Sequence, residues 1–360
     1  MTIRCAVVGA TGIAGQQFLS ALQGHPFFEV VRLAASARSA GKSYRQALTQ
    51  PSGQVAWWDT PDALDRFGDM EVVEATQMSL EGVDLVFSAV ESEPAWELES
   101  RFAERVPVIS TASAFRYEPD VPIIIPAVNG EHARLIQVQR ERRGWSGFVV
   151  PIPNCTTTGL AVALAPLHTH FGVKKVILTS MQATSGAGRS PGVIAQDIVD
   201  NVVPFIRNEE QKVEKETKKI LGVVGDDSIV PADILVSATC TRVAVLDGHT
   251  EAVTVALDKP ASLDEVKASL RSFGKDMNPR THPSAPKDWI WVHEDPFRPQ
   301  PRLDRDTQGG MTTSVGRLRE DDVLGENGIK FVLVSHNTKA GAAKGAILVA
   351  EDLKSRGVIS

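Results

Sequence analysis

Residues 3–15 read Ile3-Arg4-Cys5-Ala6-Val7-Val8-Gly9-Ala10-Thr11-Gly12-Ile13-Ala14-Gly15. A compact apolar run, Ile3 to Val8, stops at a turn containing three glycines. The residues from Gly12 to Gln23 then take up helical spacing. A short apolar run bounded by glycine reads as a strand buried on both faces, as in a parallel sheet. Glycines in such a turn let the backbone bend sharply and approach a pyrophosphate closely. The helix start beyond it offers unpaired N–H groups and the positive end of the peptide dipole. The motif gains weight from its place after the first strand of a βαβ pattern. The competing reading is a glycine turn that only tightens helix–strand packing.

Working outward, Glu29 to Ala35 is the next strand. A site for NAD usually ends this strand with Asp or Glu, which holds the ribose 2′-hydroxyl. Here the chain continues Ser36-Ala37-Arg38-Ser39, with a guanidinium and two hydroxyls and no carboxylate. Forked Arg donors suit a 2′-phosphate, so NADP is the expected cofactor. The alternative is a solvated loop arginine. Val83 to Val90 is a further buried strand, Pro94 to Glu104 a helix, and Val106 to Ser110 another strand. Strands alternating with helices predict a parallel sheet covered on both faces.

The pattern changes near Pro151-Ile152-Pro153. A helix is expected over Thr156–Leu167, a strand over Lys174–Gln182, a Gly/Ser loop over Ser185–Gly192 and a charged helix over 208–220. Strands are expected at Ile234–Ser237, Thr241–Leu246, Glu251–Leu257 and Ile329–Val334. A long ordered excursion rich in Pro, Asp and Arg fills 278–311, and a small-residue helix spans Ala340–Leu353. The predicted fold class is α/β, a Rossmann-type doubly wound dinucleotide-binding domain plus an α+β catalytic and dimerisation domain. The first domain is expected over residues 1–154, completed by 336–360, and the second over 155–335. The active site is expected between them, near the carboxyl ends of the parallel strands.

Bulk properties narrow the function classes. The 360 residues carry 44 acidic and 38 basic side chains, a net charge of −6. Without a basic run, nothing favours nucleic acid or an anionic membrane as partner. No apolar stretch is long enough to span a bilayer, and the N-terminal run is too short for a signal peptide. Three scattered cysteines without a CxxC pair fit a reducing, cytoplasmic setting. No metal site is expected. His168 and His170 lack a third ligand cluster, and the calcium-like start at Asp304 lacks its closing Glu, where Val315 stands.

Chemistry concentrates at Pro153-Asn154-Cys155-Thr156-Thr157-Thr158-Gly159-Leu160. This reads as a turn delivering a cysteine to a helix start, where the dipole favours the thiolate, the reactive form. A lone cysteine is more often a small buried hydrophobe, the reading given to Cys5 and Cys240.

The segment around Cys155 resembles the active-site segment of the aspartate-semialdehyde dehydrogenase family, in its archaeal and fungal-type branch. The likeness covers nearly the whole chain and rests on several motifs in order. They are the glycine turn, Ser36 to Lys42, Val121-Pro122 with Pro126 to Asn129, Met181 to Gly188, Glu209 to Lys212, Thr239 to Val243 with Asp247-Gly248-His249, and Ser335 to Thr338. The chain departs from the family's pattern at Thr111, Ala127, Ala340 and Lys344.

The resemblance implies roles. Cys155 would attack an acyl phosphate and form a thioester, with His249 as general acid/base and Gln182 orienting the carbonyl. Arg242 would clamp the substrate α-carboxylate and Glu209 would meet its ammonium, while Lys212 and Arg116 would bind the phosphoryl group. Gly9, Thr11, Gly12, Ile13, Gly15, Ser36, Arg38, Ser39, Ser88, Ser185, Gly186 and Asn337 would hold NADP. The implied reaction is NADPH-dependent reduction of L-aspartyl 4-phosphate to the semialdehyde with release of phosphate, by a homodimer or homotetramer. Two rivals stand beside it: malonyl-CoA reductase of the same lineage, and a cofactor-binding homologue without catalysis. For Glu209 and Lys212, three apart on one helix face, the plain alternative is a solvated surface pair.

Overall fold

The computed structural model describes residues 2–59, 61–188 and 192–360. The expected Ser185–Gly192 loop therefore lies partly outside the described residues, at 189–191. The chain forms two compact units, one from 1–122, 133–152 and 342–360, the other from 123–132 and 153–341.

The first unit is built on seven strands among the described residues: Ile3–Val8 (β1), Phe28–Ala35 (β2), Lys42–Ser43 (β3), Glu71–Glu74 (β4), Leu85–Ser88 (β5), Pro107–Ser110 (β6) and Phe148–Pro151 (β7). Their order across the sheet is β3-β4-β2-β1-β5-β6-β7, and every neighbouring pair except β3–β4 is parallel. The chain winds outward from β1 to β2 and β4, then returns to the other side of β1 with β5. The reversal falls between β1 and β5, the place where open α/β sheets bind ligands. β1 is buried at every position but Arg4, as its apolar run predicts. The helix Ile13–Leu22 buries Gly15, Phe18, Leu19 and Leu22, the i, i+3, i+4, i+7 face of an amphipathic helix. The helix Ala343–Ser355 returns to pack against it, and His25 Nε2 meets Glu351 Oε1 at 2.9 Å.

In the second unit, Val173–Gln182 (β8), Leu235–Arg242 (β11), His249–Leu257 (β12), Ile290–Val292 (β13), Thr313–Glu320 (β14) and Gly328–Ser335 (β15) form a mixed sheet ordered β11-β8-β12-β15-β14-β13. Val223–Val224 (β9) and Ile229–Val230 (β10) form a separate small hairpin. The helix Cys155–Phe171 lies on one face of the large sheet and is almost wholly buried from Thr156 to Leu167. Gly159 makes that closeness possible, because a Cβ there would sit 2.7 Å from Ser335 Cβ. The other face is open at β8 and β11, where Lys175, Ile177, Thr179, Leu235, Ser237 and Thr239 are exposed. Residues 123–132 join this unit, with His132 Nε2 donating to the Gly222 carbonyl at 3.1 Å.

One expectation is corrected. Ile234–Ser237 and Thr241–Leu246 are not two strands; a single strand, β11, runs through both and ends at Arg242. The carbonyls of Val245 and Leu246 instead accept from Thr184 and Ser185, so 243–248 is a loop that shores up the turn after β8. No helix among the described residues is long and apolar enough to cross a membrane.

Candidate active site

In the first unit the glycine turn forms a cradle. Gly9 has φ +80°, and a Cβ there would fall 2.4 Å from the Ala89 carbonyl oxygen just beyond β5. A Cβ on Gly15 would fall 2.3 Å from Gly9 O. Gly12 caps the following helix without a side chain, so no side chain covers the first-turn N–H groups of Ile13 and its neighbours. Thr11 sits in the same turn. A pyrophosphate fits a site of this kind, with uncapped donors and no Cβ in the way. At the end of β2, Ser36 and Arg38 are exposed and Ser39 is buried. Ser88 ends β5 fully buried, with its hydroxyl donating to Glu99 Oε1 at 2.6 Å, so that hydroxyl is not offered to a ligand. Arg116, also in this unit, donates from Nη2 to the Thr111 carbonyl at 2.8 Å.

The second unit assembles the remaining candidates around Cys155. This residue opens a 17-residue helix, where the dipole favours an anion. Asn154 is the N-cap. Its Oδ1 accepts from the Thr156 and Thr157 N–H groups at 2.9 and 3.2 Å. Its Nδ2 donates to Glu209 Oε1 at 2.8 Å, and its backbone N–H donates to Glu216 Oε2 at 2.6 Å. Glu209 and Glu216 are two turns apart on the helix Glu209–Ile220, so one helix face holds the turn that presents the sulfur. Lys212 Nζ lies 3.5 Å from Glu209 Oε2.

His249 opens β12, and its Nε2 lies 3.1 Å from Cys155 Sγ. Its Nδ1 accepts from the Ala183 backbone N–H at 3.1 Å. Burial, then Arg242 and His336, push this imidazole down to about 3. Arg242 ends β11 beside its register partner Gln182 on β8, and its Nη1 donates to the Ala183 carbonyl at 2.9 Å. The guanidinium is buried, yet it forms no ion pair with a carboxylate among the described residues. Burial holds it below its ordinary range, while the Cys155 sulfur and Glu209 act in the opposite direction. A buried cation normally has a counter-ion, so this one is suited to an incoming carboxylate. Gln182 is buried and donates to Ser180 Oγ at 3.2 Å.

Ser185 and Asn337 meet here too. Asn337 Nδ2 donates to Ser185 Oγ at 2.8 Å, and its Oδ1 accepts from the Gly248 N–H at 2.9 Å, next to His249. Gly186 leaves a gap over the pair, since a Cβ there would lie 2.9 Å from Arg242 Nη1 and 3.1 Å from His249 Cε1. The other cysteines differ sharply. Burial pushes the Cys240 thiol up to about 12 and Cys5 higher still, while Cys155 is partly exposed.

Sequence reading did not single out Glu216, Ala183 or Gly341. A Cβ on Gly341 would lie 2.8 Å from Cys155 Cβ. Glu216 carried a signal only through its spacing of seven from Glu209. Ala183 acts through its backbone, which residue type does not reveal.

A glycine cradle at the switch point of a parallel sheet, in a chain that also pairs a cysteine with a histidine, defines a class: α/β dinucleotide-binding proteins that carry a cysteine–histidine pair. Residues 4–136 match the family model described as semialdehyde dehydrogenase, NAD binding domain. Residues 164–339 match the one described as semialdehyde dehydrogenase, dimerisation domain. An aspartate-semialdehyde dehydrogenase of Methanothermobacter thermautotrophicus is 46% identical over 351 residues, covering 97% of this chain and 98% of its own. That of Archaeoglobus fulgidus is 47% identical over 352 residues, covering 98% of each. The crystal structure of aspartate semialdehyde dehydrogenase with NADP from Candida albicans matches with a TM-score of 0.87 at 40% identity, covering 100% of both chains. The chain belongs to the aspartate-semialdehyde dehydrogenase family.

Proposed function

We propose that this chain reduces L-aspartyl 4-phosphate to L-aspartate 4-semialdehyde, through a thioester on Cys155 and with NADPH as reductant. The observation that carries the reading is the buried Arg242 guanidinium, without a carboxylate partner among the described residues, in the same site as the Cys155–His249 pair. A forked cation binds a carboxylate in two parallel hydrogen bonds and so fixes the substrate's orientation. Cys155 sulfur then attacks the acyl carbon and phosphate leaves with its electron pair. A thioester accepts hydride where a carboxylate would not. Gln182 stands at the end of β8 to orient the carbonyl, and Glu209 and Lys212 provide opposite charges for the ammonium and phosphoryl groups.

The bound dinucleotide supplies the hydride. Gly9, Thr11, Gly12, Ile13 and Gly15 would hold its pyrophosphate. Ser36, Arg38 and Ser39 would hold its 2′-phosphate, Arg38 being exposed and carrying the charge that selects NADP. Ser185, Gly186 and Asn337 would line the nicotinamide side. The open sheet face at β8 and β11, where Ile177 (46%) and Leu235 (63%) are exposed among Lys175, Thr179, Ser237 and Thr239, suits a second copy of the chain, because large apolar side chains exposed on a sheet face favour pairing. A homodimer, or a homotetramer built from it, in the cytoplasm is the form we propose.

The test is acyl-enzyme trapping. Incubation with aspartyl phosphate and no reductant should add an aspartyl mass to the peptide containing Cys155, and NADPH should discharge it. Turnover of malonyl-CoA with none of aspartyl phosphate would overturn the substrate. Full reductase activity in Cys155→Ser would overturn the thioester.

A further inference from the structure

Three polar side chains meet inside an apolar interface of the first unit. Glu99 stands within the helix Ser92–Ala103 and is buried. Ser88 and Ser110 end β5 and β6 as register partners and are buried completely. Both hydroxyls donate to one atom, Glu99 Oε1, at 2.6 and 2.5 Å. Burial raises the carboxyl from 4.5 to about 7. In the uncharged acid Oε1 is a carbonyl oxygen, with one lone pair for each hydroxyl. The packing around the trio comes from Val86, Leu98, Phe102, Ala103, Val108 and Phe115. Taking a carboxyl group and two hydroxyls into such surroundings costs stability, and apolar side chains of the same shape would close the interface as well. Their place in the sheet gives them another use. They lie at the carboxyl ends of the strands, beside the reversal between β1 and β5. Just past Ser88, the Ala89 N–H donates to the Val8 carbonyl at 2.8 Å, and the Ala89 carbonyl lies against Gly9. Just past Ser110, the Thr111 N–H donates to the Ser88 carbonyl at 2.9 Å, and the Ala112 N–H to Ser110 Oγ at 3.0 Å. The turns after β1, β5 and β6 are thus tied in a row, with the carboxyl group behind them.

We propose that Glu99 is a positioning residue for the dinucleotide: it holds Ser88 and Ser110 on one shared acceptor and so sets the spacing of the turns that edge the crevice beyond β5 and β6. Ser88 then serves the cofactor through the carboxyl group behind it, and not through a hydroxyl offered to the ligand. The inference rests on the reading of this crevice as the dinucleotide site. It does not depend on Cys155 or on the acyl donor. Backbone groups that meet a ligand have no rotamers with which to adjust, so such turns must be held in place from behind. Without the shared acceptor, two buried hydroxyls lose their partner and the two strand ends lose their link through the helix.

Fluorescence titration of the full chain with NADPH at about pH 6 tests this, because Glu99 is then largely uncharged and glutamine is its neutral copy. Glu99→Gln keeps the carbonyl acceptor and should bind NADPH within about twofold of wild type. Glu99→Met fills the volume without an acceptor and should bind at least about tenfold more weakly. Iodoacetamide alkylation of Cys155 without cofactor reports on the second unit and should be unchanged in both variants, and a thermal melt shows that the fold persists. The double change Ser88→Ala with Ser110→Ala removes the link from the strand side and serves even where Glu99→Met fails to fold. It should weaken NADPH binding as much as Glu99→Met does, and all three changes together should weaken it no further, since groups in one network are not additive. Wild-type affinity in folded Glu99→Met or in the double serine variant would refute the proposal. So would a loss in Glu99→Gln equal to that in Glu99→Met. A wild-type chain that bound no NADPH would overturn the dinucleotide reading itself, and this inference with it.

Discussion

Replacing Gly341 with alanine adds one methyl group against the backbone of Cys155, the proposed nucleophile. The new carbon would lie 2.8 Å from Cys155 Cβ, 3.0 Å from Cys155 Cα and 2.8 Å from the Asn337 carbonyl oxygen. Ordinary carbon–carbon contact is about 3.5–4.0 Å, so the pair must separate by roughly 0.7 Å. Gly341 is not among the residues with a left-handed backbone, so the cost of alanine is one of contact and not of conformation. The sulfur has little freedom to yield. Its turn is pinned by Glu216, Glu209 and the Asn154 cap, and His249 stands 3.1 Å away. Overpacking of this kind costs about 1–3 kcal/mol of stability. A displacement approaching 1 Å at a reacting atom costs on the order of 100-fold in rate. Gly341→Ala should therefore lower kcat by ten- to a hundredfold with a smaller change in KM, and should slow Cys155 alkylation in the folded protein. The assays are steady-state kinetics, alkylation by mass spectrometry and a thermal melt to show that the fold persists. A folded variant with wild-type kcat and alkylation rate would refute the claim that the sulfur's position is set by contact with residue 341.

Three further outcomes are expected. Arg242→Lys keeps the charge but loses the fork, and losing a charged hydrogen bond of about 1.5–3 kcal/mol should raise KM for the acyl substrate by roughly 10- to 100-fold; an unchanged KM would remove Arg242 from carboxylate binding. Arg38→Ala should raise KM for NADPH about tenfold or more while leaving weak NADH turnover unaltered, and equal effects on both cofactors would take Arg38 off the 2′-phosphate. Glu99 is buried beneath Ser88 and Ser110, and burial raises its carboxyl from 4.5 to about 7. Its folded value lies above its unfolded one, so its contribution to stability is complete below pH 4.5 and is lost as the pH rises through 7. The loss is about 3 kcal/mol at 1.36 kcal/mol per unit. Glu99→Gln should abolish that part of the fall in urea midpoint between pH 5 and pH 8, and identical pH profiles for the two proteins would refute the assignment.

What could be read from the chain, and what could not, divides by the range of the interactions. β1 and the turn after it are local: an apolar run, a glycine at positive φ and an amphipathic helix follow from a dozen consecutive residues, and their expected limits lie within a residue or two of those observed. The stretch Thr241 to Leu246 misled because TRVAVL has β-branched, apolar character throughout. Its backbone partners after Arg242 are at 182, 184 and 185, which end the strand and make a loop instead. β14 went unread for a related reason. Gly316 and the left-handed Arg317 break its alternation at a bulge, so only half of it looks like a strand. In the site, Cys155, Arg242 and His249 are legible as candidates through residue type and motif. Their supports did not. Glu216 acts across 62 residues on a backbone N–H, and Ala183 acts through its peptide groups alone.

That division also explains why the supports govern the chemistry. The main-chain groups of Ala183 tie two of these side chains into one arrangement, with its N–H on His249 and its carbonyl on Arg242. A shift of this peptide moves the His249 ring and the Arg242 guanidinium together. Its place just past the end of β8, in a sheet whose neighbours β11 and β12 carry Arg242 and His249 at their adjoining ends, makes that coupling a property of strand register. A one-residue slip of β11 against β8 would turn Arg242 to the opposite face of the sheet. The guanidinium would then leave Ala183, while the Cys155–His249 pair, held by β12 and the cysteine helix, would remain.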